Sequence, residues 1–494
     1  MPQVEIDNRI ITVPIGTTVS SVVAGLDLPC SGKGICGKCR VQVFGAVSDP
    51  TPREERYLTL MEVADNVRLA CQTTIQGDCR IRRMGDSAPV VVAAPERDIR
   101  PRRTAFSRYG VAVDVGTTTL AAHLYDPAGT LLAQIGAPNP QTVFGADVIS
   151  RVEAAMGGNT APTDAIRHGL RQLLTDLTAM AELTPADVDG IVITGNTVML
   201  SLLIATDVAP FATAPFACER LFGETVPATE VGLTDCSDAS VYLTPCASAF
   251  VGGDVATALD AADLRDTALL LDLGTNGEMI LQTPTGLYAC STAAGPAFEG
   301  VGISCGMTAA QGAIHRVELV NGALHPTVVG GGEPKGLCGS GLIDAVACLL
   351  LRGDMTPEGI VDGAVSITDT VTLTPDDIRA LQVSCSAIRS GIDTLLKAAN
   401  LTAEDLQEVV VCGGFGNYLS VPNAVRIGLL PAAALSRTRC LGNAALSGAA
   451  ELLLDVDRRA SLAHRIRAAQ TVELATNPYF ATRFITNMRL EVRE

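Results

Sequence analysis

Tryptophan is absent from the 494 residues, and tyrosine and phenylalanine bring the aromatic share to only 4%. With so few rings, the cores must be built from Ala, Val, Leu and Ile, and base-stacking platforms for nucleic acid are not expected. Basic residues are also scarce. The 36 Lys and Arg face 53 Asp and Glu, a formal charge of −17, which repels phosphate backbones and excludes a general nucleic-acid binder. Long apolar runs are missing too. The leading uncharged candidate for a membrane span, from Gly190 to Ile204 and on to Thr206, contains Thr194, Gly195, Asn196, Thr197 and Ser201. It reads as a strand, a turn and a helix start, so no membrane association is expected. The opening M-P-Q-V-E-I-D-N is polar and acidic, unlike a secretory leader, and the cytoplasm is the expected compartment. The odd cysteine count of 15 argues against a disulfide framework. What is present is 47% hydrophobic residues against 18% charged, enough for sizeable cores, in a length that suits two to four domains.

The charge divides the chain. Residues 1–85 carry 10 basic and 9 acidic side chains, a net +1, so the remainder carries −18, more than the whole net charge of −17. Residues 86–108 contain Pro89, Pro95, Pro101 and five arginines. Prolines six apart resist helix and central strand alike, so this stretch reads as an extended linker laid along a surface.

Four of the first five cysteines form a set, Cys30, Cys36, Cys39 and Cys71, spaced C-x5-C-x2-C-x31-C. Three ligands within ten residues need a loop that wraps a compact object, and Gly32, Gly34 and Gly37 supply the backbone freedom. Four thiolates suit a structural zinc or a [2Fe–2S] cluster. Zinc sites usually bring two C-x2-C pairs. Here there is one, with its third partner upstream on a Gly-rich loop, close to the C-x4-C-x2-C spacing of plant-type ferredoxins. Around it, Val4–Asp7 and Ile10–Val13 alternate like a hairpin, Thr18–Leu26 suits a short helix, and Arg40–Phe44 is strand-like. Pro52–Met61 reads as a helix capped by Thr51, with Glu54 and Glu55 in its first turn. Thr73–Ile75 and Arg80–Arg82 could close the sheet. This order fits a β-grasp, and the region resembles [2Fe–2S] ferredoxins over about 85 residues, the C-x5-C-x2-C form being similar to the adrenodoxin branch. Cys79 lies outside the set and reads as a small core or surface residue rather than a ligand.

Beyond the linker, a buried strand Val111–Val115 ends at Asp114-x-Gly116-Thr117-Thr118-Thr119, and Leu120–Tyr125 returns. A hairpin tip of Gly and Thr holds phosphate oxygens on N–H groups and hydroxyls, while the Asp orients Mg²⁺ or water. It is not a Walker loop, because G-x4-G-K-[ST] is absent. The pattern recurs at Asp272-x-Gly274-Thr275-Asn276-Gly277, and Glu408-V-V-V-C runs into Gly413-Gly414-x-Gly416. I-V-I-T-G-N-T-V-M (191–199) and G-L-C-G-S-G-L-I-D (336–344) are Gly-punctuated junctions between them. Each motif alone is weak, since Gly/Thr turns also simply close hairpins. Together they resemble the ASKHA superfamily of acetate and sugar kinases, Hsp70 and actin, over about 108–494. That resemblance implies two ribonuclease-H-like lobes. It makes Asp114, Gly116, Thr117 and Thr118 the first phosphate hairpin, Asp272, Gly274, Thr275 and Asn276 the second, and Gly413 and Gly414 an adenosine turn. ATP and Mg²⁺ follow as cofactors.

The expected architecture is a multidomain α/β chain. A β-grasp ferredoxin domain spans 1–85, a linker 86–108, and an ASKHA domain 109–494, with lobes of roughly 109–265 and 266–494. Electron transfer that runs downhill needs no ATP, so this pairing points to an acceptor below the donor. R-L-A-C-Q-T, D-V-G-T-T-T, D-L-G-T-N-G-E and C-G-S-G-L-I-D together resemble the reductive activators of corrinoid-dependent enzymes. In that family a cluster gives one electron to an inactive Co(II) corrinoid, restoring Co(I) with the help of ATP. Some members carry an extra domain of about 80 residues where this chain has only the linker, so a compact variant is implied. The corrinoid signature D-x-H-x-x-G is absent, and none of His123, His168, His315, His325 and His464 fits it. The corrinoid is therefore expected on a partner, a corrinoid protein of a methyltransferase or a cobalamin-dependent methionine synthase, with a separate reductase as electron donor. Oligomeric state stays open, a homodimer being preferred. Two alternatives remain: a metabolite kinase with a redox-sensing ferredoxin, and a non-catalytic Hsp70- or actin-like switch. Cys290, Cys305, Cys338 and Cys412 could mimic the shared cluster of ASKHA dehydratase activators, but read as small buried thiols.

Overall fold

The computed structural model describes residues 1–6, 9–23, 26, 28, 32–34, 37–58, 60–83, 101–145, 147–414 and 418–492. The chain forms two compact units, Met1–Ala88 with Pro140–Ala154, and Pro89–Asn139 with Ala155–Glu494.

In the first unit, β1 (Gln3–Ile6) and β2 (Arg9–Thr12) pair as an antiparallel hairpin. β3 (Arg40–Val47), β4 (Val67–Leu69) and β5 (Ile75–Arg83) complete a sheet ordered β2-β1-β5-β3-β4. The first strand lies parallel to the last, which is the β-grasp arrangement. Val4, Val41, Leu69, Ile75 and Ile81 fill its core with almost no exposure. The helix expected over Pro52–Met61 is split into α1 (Pro52–Tyr57) and α2 (Leu60–Ala64). Leu58 turns extended at φ −104° and is buried, so core packing ends the helix where no Gly or Pro stands. The Thr18–Leu26 helix reduces to a single 3-10 turn, Val19–Ser21, with residues 24 and 25 outside the described residues.

Thr51 caps α1 as expected. Its hydroxyl accepts from the Glu54 N–H, and the Glu54 carboxylate accepts from the Thr51 N–H at 2.9 Å. That carboxylate is fully buried and is a hub. It accepts from Arg68 Nε and Nη2 at 2.9 Å each, from the Leu69 N–H at 3.0 Å and from Thr73 Oγ1 at 3.2 Å. Burial pushes the Glu54 carboxyl up. The Arg68 hydrogen bonds, the Thr51 and Leu69 N–H groups and the Arg68 charge outweigh it and hold the group below its ordinary 4.5. Replacing Glu54 by alanine strands Arg68 and should cost this unit about 3–5 kcal/mol, read as a lower melting temperature of the ferredoxin unit. Because the folded value is depressed, the charged form's contribution is complete above the unfolded value and is lost as pH falls through the folded one. The stabilities of wild type and Glu54→Gln should therefore converge in acid.

The second unit contains two lobes built to one plan. β6 (Tyr109–Val115), β7 (Thr119–Tyr125) and β8 (Leu131–Pro138) form an antiparallel meander. The chain then passes through Pro140–Ala154, which groups with the first unit and holds most of α3 (Val148–Ala155), and after α4 (Ala161–Ala179) β9 (Val188–Gly195) returns parallel to β6. α5 (Thr197–Leu203), β10 (Glu224–Pro227), β11 (Ser240–Leu243) and α6 (Gly253–Ala262) follow, giving the order β10-β11-β9-β6-β7-β8. The second lobe repeats the meander with β12 (Ala268–Leu273), β13 (Gly277–Thr283) and β14 (Gly286–Thr292).

An inserted sheet of β15 (Ala313–Val320), β16 (Ala323–Val328) and β17 (Gly336–Leu337) precedes α7 (Gly339–Arg352). The pair β18 (Val365–Ser366) and β19 (Thr372–Leu373) leads into α8 (Pro375–Ala398). β20 (Glu408–Cys412) returns parallel to β12, then α9 (Val421–Arg426), and β21 (Thr438–Leu441) lies parallel to β20. α10 (Ala444–Leu454), α11 (Arg458–Arg467), β22 (Gln470–Thr471) and α12 (Pro478–Thr486) close the chain, and the sheet order is β21-β20-β12-β13-β14-β22. In both sheets three antiparallel strands are followed by a fourth parallel to the first, the ribonuclease-H-like plan.

Ile191–Ile193, Leu269–Leu271 and Val409–Val411 are almost completely buried, as expected of strands covered on both faces. α6 and α10 pack closely because Gly448 leaves room. A Cβ there would stand 2.0 Å from the Thr257 carbonyl oxygen. Residues 101–108 are built into this unit. The Arg102 and Ala105 N–H groups donate to the Leu454 and Leu453 carbonyls at 3.1 and 2.8 Å, and Phe106 is buried. Residues 86–100 of the expected linker lie outside the described residues. Among those described, no helix is long and apolar enough to cross a membrane.

Candidate cluster loop and nucleotide cleft

Cys39 immediately precedes β3, and Cys71 follows β4 by two residues. β3 and β4 pair antiparallel with Arg40 opposite Leu69, and the Ala70 N–H donates to the Cys39 carbonyl at 2.8 Å. This register brings two cysteines 32 positions apart to one end of one strand pair. Gly32, Gly34 and Gly37 all have left-handed φ, between 65° and 75°. The Gly32 loop passes beside Cys71: a Cβ on Gly32 would lie 3.7 Å from the Cys71 Cβ, and Gln72 Nε2 donates to the Gly32 and Cys71 carbonyls at 3.4 and 3.1 Å. Gly37 has a second constraint, since a Cβ there would press to 2.9 Å from Tyr57. Cys39 is buried and Cys71 partly so. Two thiols with a glycine loop drawn over them fit a group held by thiolates. Cys30 and Cys36 lie outside the described residues. Cys79 is buried in the core, and burial together with the Asp78 charge pushes its thiol up.

In the second unit the two lobes enclose a cleft of about 260 Å³. Asp114, Gly116, Thr117, Thr118, Asp272, Gly274, Thr275, Asn276, Gly413 and Gly414 all line it. The hairpins hold their shape through neighbours that sequence reasoning missed. Asn139 Nδ2 donates to the Gly116 carbonyl at 2.8 Å, and Asn196, which caps α5, donates to Thr117 Oγ1 at 3.2 Å. Asn443, the cap of α10, donates to Asp114 Oδ2 at 2.8 Å. Glu299 bridges the lobes: it accepts from Thr118 Oγ1 at 2.9 Å and from the Thr275 N–H at 3.0 Å.

The floor of the cleft is acidic. Asp254, in the first turn of α6, and Glu278, opposite Asp272 in the β12–β13 register, join the two expected aspartates. Burial pushes Asp114 up to about 7, the Asn443 hydrogen bond opposing and the Asp254 charge assisting. Burial, with the Asp254 and Asp114 charges, pushes Asp272 up to about 7. Burial takes Asp254 to about 6. Burial and the Asp254 and Asp272 charges hold Glu278 well above its ordinary value. Four carboxyls that repel one another this way call for positive charge nearby, but among the described residues no three such groups stand close enough to hold a metal ion between them. Thr275 Oγ1, in a residue only 8% exposed, has no hydrogen-bond partner among the described residues. An orphaned hydroxyl in a Gly/Thr hairpin fits a phosphate oxygen.

Gly413 sits where β20 leaves the sheet, with φ +102°. A Cβ there would lie 2.5 Å from the Leu273 carbonyl oxygen and 2.8 Å from Asp272 Oδ1. Gly413→Ala should therefore cost about 1–3 kcal/mol in strain and displace Asp272, read as weaker nucleotide binding in a titration. His123 is no cleft group. It is buried beside Tyr125, 3.2 Å from the hydroxyl, and burial pushes it down to about 4. Cys290, Cys338 and Cys412 are buried and Cys305 partly so. Burial raises the Cys290 and Cys412 thiols, as small core thiols should behave.

Residues 4–76 match the 2Fe-2S iron-sulfur cluster binding domain family, 109–267 the RACo middle region, and 266–494 the C-terminal domain of RACo, the ASKHA domain. Fold and cleft thus define an iron–sulfur protein with a nucleotide-binding ASKHA domain in the same chain. Over 414 residues it is 32% identical to the corrinoid activation enzyme RamQ of Eubacterium limosum, covering 77% of this chain and 70% of that protein. It is 26% identical over 390 residues to the [Co(II) methylated amine-specific corrinoid protein] reductase of Methanosarcina barkeri, covering 71% of each. The solved reductive activator for corrinoid, iron-sulfur protein superposes with a TM-score of 0.71 at 26% identity, over 99% of this chain and 98% of that one. The chain belongs to this family of corrinoid activation enzymes.

Proposed function

We propose that this chain passes one electron to the Co(II) corrinoid of a partner protein, restoring Co(I), with ATP driving the step. The carrying observation is the cleft, where phosphate hairpins from two lobes converge over an acidic floor, in a chain that also brings cysteines together under a glycine loop. Its relatives are named as corrinoid activation enzymes and as a reductase of a Co(II) corrinoid protein.

Cys30, Cys36, Cys39 and Cys71 would hold a [2Fe–2S] cluster, which when bound supplies a one-electron carrier. Asp114 and Asp272 would orient Mg²⁺ brought in on the phosphates, which supplies charge neutralisation for them. The hydroxyls of Thr117, Thr118 and Thr275, the Asn276 side chain and the Gly116 N–H group then grip phosphate oxygens, while the Gly274 N–H donates to the Asn276 carbonyl at 3.0 Å and shapes the second hairpin. Gly413 and Gly414 leave room for the nucleoside. Binding across both lobes lets ATP bias an open–closed equilibrium. That is what an uphill electron transfer requires of it. One electron enters from a separate reductase and one leaves to cobalt, while ATP is hydrolysed to ADP and phosphate.

The same reading divides the chain into a ferredoxin domain at 1–85, a linker at 86–108 and lobes at 109–265 and 266–494. It places the protein in the cytoplasm, as a homodimer, with the corrinoid carried by a methyltransferase's corrinoid protein or a methionine synthase. The test incubates reduced protein, Mg-ATP and a Co(II) corrinoid protein without oxygen and follows the Co(II) EPR signal. The signal should vanish only when all three are present. A signal that persists against every corrinoid client tried would refute the proposal.

A further inference from the structure

We propose that Glu299 is an internal stand-in for the terminal phosphate, a latch that fastens the two lobes in the nucleotide-free protein and that ATP must displace. The inference rests on the nucleotide reading of the cleft and adds to it a residue that sets affinity.

The two hairpins meet the same carboxylate. Glu299 Oε2 accepts from Thr118 Oγ1 of the first lobe at 2.9 Å, and Oε1 accepts from the Thr275 N–H of the second at 3.0 Å. These are two of the groups that suit phosphate oxygens. A hydroxyl and an N–H each have one proton to give, so neither can serve the Glu299 carboxylate and a phosphate together. Like charge sharpens the exclusion, because a carboxylate and a polyphosphate repel each other in a partly buried site. The Thr275 hydroxyl, without a partner among the described residues, is a further donor on the same hairpin that the carboxylate leaves unused.

The backbone around Glu299 gives its carboxylate a tightly packed mount. It ends a 3-10 turn, Pro296–Glu299, bounded by Gly295 at φ +80° and Gly300 at φ +73°. Gly300 is additionally obligatory, since a Cβ there would stand 2.6 Å from the Met307 N–H nitrogen. The turn also meets α7, where a Cβ on Gly339 would lie 2.0 Å from the Phe298 carbonyl oxygen. Release of Glu299 on nucleotide binding therefore loosens one direct link between the lobes at the moment the phosphates create another.

The competing occupant lowers apparent affinity by the fraction of molecules in which it is engaged. Removing it should tighten binding of nucleotides that carry terminal phosphates and leave those without them nearly unchanged. The experiment titrates the full-length, cluster-loaded protein with the non-hydrolysable β,γ-imido analogue of ATP and, separately, with AMP. Glu299→Ala should lower the Kd for the ATP analogue by about tenfold and leave that for AMP unaltered. Glu299→Gln, which keeps the volume but not the charge, should move in the same direction by less, and it carries the test if the alanine variant fails to fold. Unchanged or weaker binding of the ATP analogue by the folded variants would overturn the latch, as would equal tightening of AMP. Wild-type protein that binds no nucleotide at all would instead overturn the reading of the cleft on which the latch stands.

Discussion

Serine at Cys39 removes the [2Fe–2S] absorption and EPR signal and with them all electron delivery to cobalt, while nucleotide binding persists. Cys39 is 1% exposed and is held just before β3 by the Ala70 N–H donating to its carbonyl. A serine hydroxyl is a harder and far less acidic donor than a thiol and does not support a plant-type cluster in its place. The substitution is nearly isosteric, so the β-grasp core of Val41, Leu69 and Ile81 should keep its packing. The measurement is the visible and EPR spectrum of the reduced variant beside wild type. An unchanged spectrum would remove Cys39 from the ligand set.

Asp272→Asn acts on the other unit. It should cut ATP turnover by about 10²–10³-fold with the cluster spectrum unaltered. Asp272 ends β12, with Glu278 opposite it, and the Gly413 turn crosses its carboxylate. It is one of four mutually repelling carboxyls, so its loss removes a charge from the acidic floor and relieves repulsion there. The variant should therefore melt no lower than wild type without nucleotide. It should lose the rise in melting temperature that Mg-ATP gives wild type, since only a ligand that binds the folded state stabilises it. A variant that hydrolyses ATP at the wild-type rate would contradict the role given to Asp272.

Much of this was legible before the structure because the informative signals are local. D-V-G-T-T-T and D-L-G-T-N-G each encode a strand, a tight tip and a returning strand, and both tips fall in the one cleft. The cysteine spacing encodes a loop that only glycine can wrap. The residues that escaped notice are those whose meaning depends on closure between distant segments. Asp254 lies in V-G-G-D at the start of α6 and Glu299 in P-A-F-E-G. Either could have been a capping or surface acid, and only the meeting of the two lobes makes them part of the cleft. The G-G-D helix start was the one readable hint. Glu278 alternates correctly for β13 but gives no sign that it faces a carboxylate on β12.

The ferredoxin unit teaches the same lesson at smaller scale. Thr51, Pro52 and Glu54 marked the start of α1 because capping chemistry is sequence-local. Its end at Leu58 was hidden because burial of one leucine, not a breaker residue, decides it. β4 is three residues long, too short for a period to be read. Its place is fixed by pairing with β3 and by the buried Glu54 carboxylate, which binds both the Arg68 side chain and the Leu69 backbone. That short strand aligns Cys71 with Cys39.

The central claim is that ATP and the electron act together in one chain. The most direct measurement is the absorption of Co(I) when the reduced protein meets a Co(II) corrinoid protein, with ATP added last, for wild type and for Asp272→Asn. The account predicts no Co(I) before ATP, its appearance on addition to wild type, and none with the variant, although both proteins hold equally reduced clusters. Co(I) forming to the same extent before ATP, or in the variant, would contradict it.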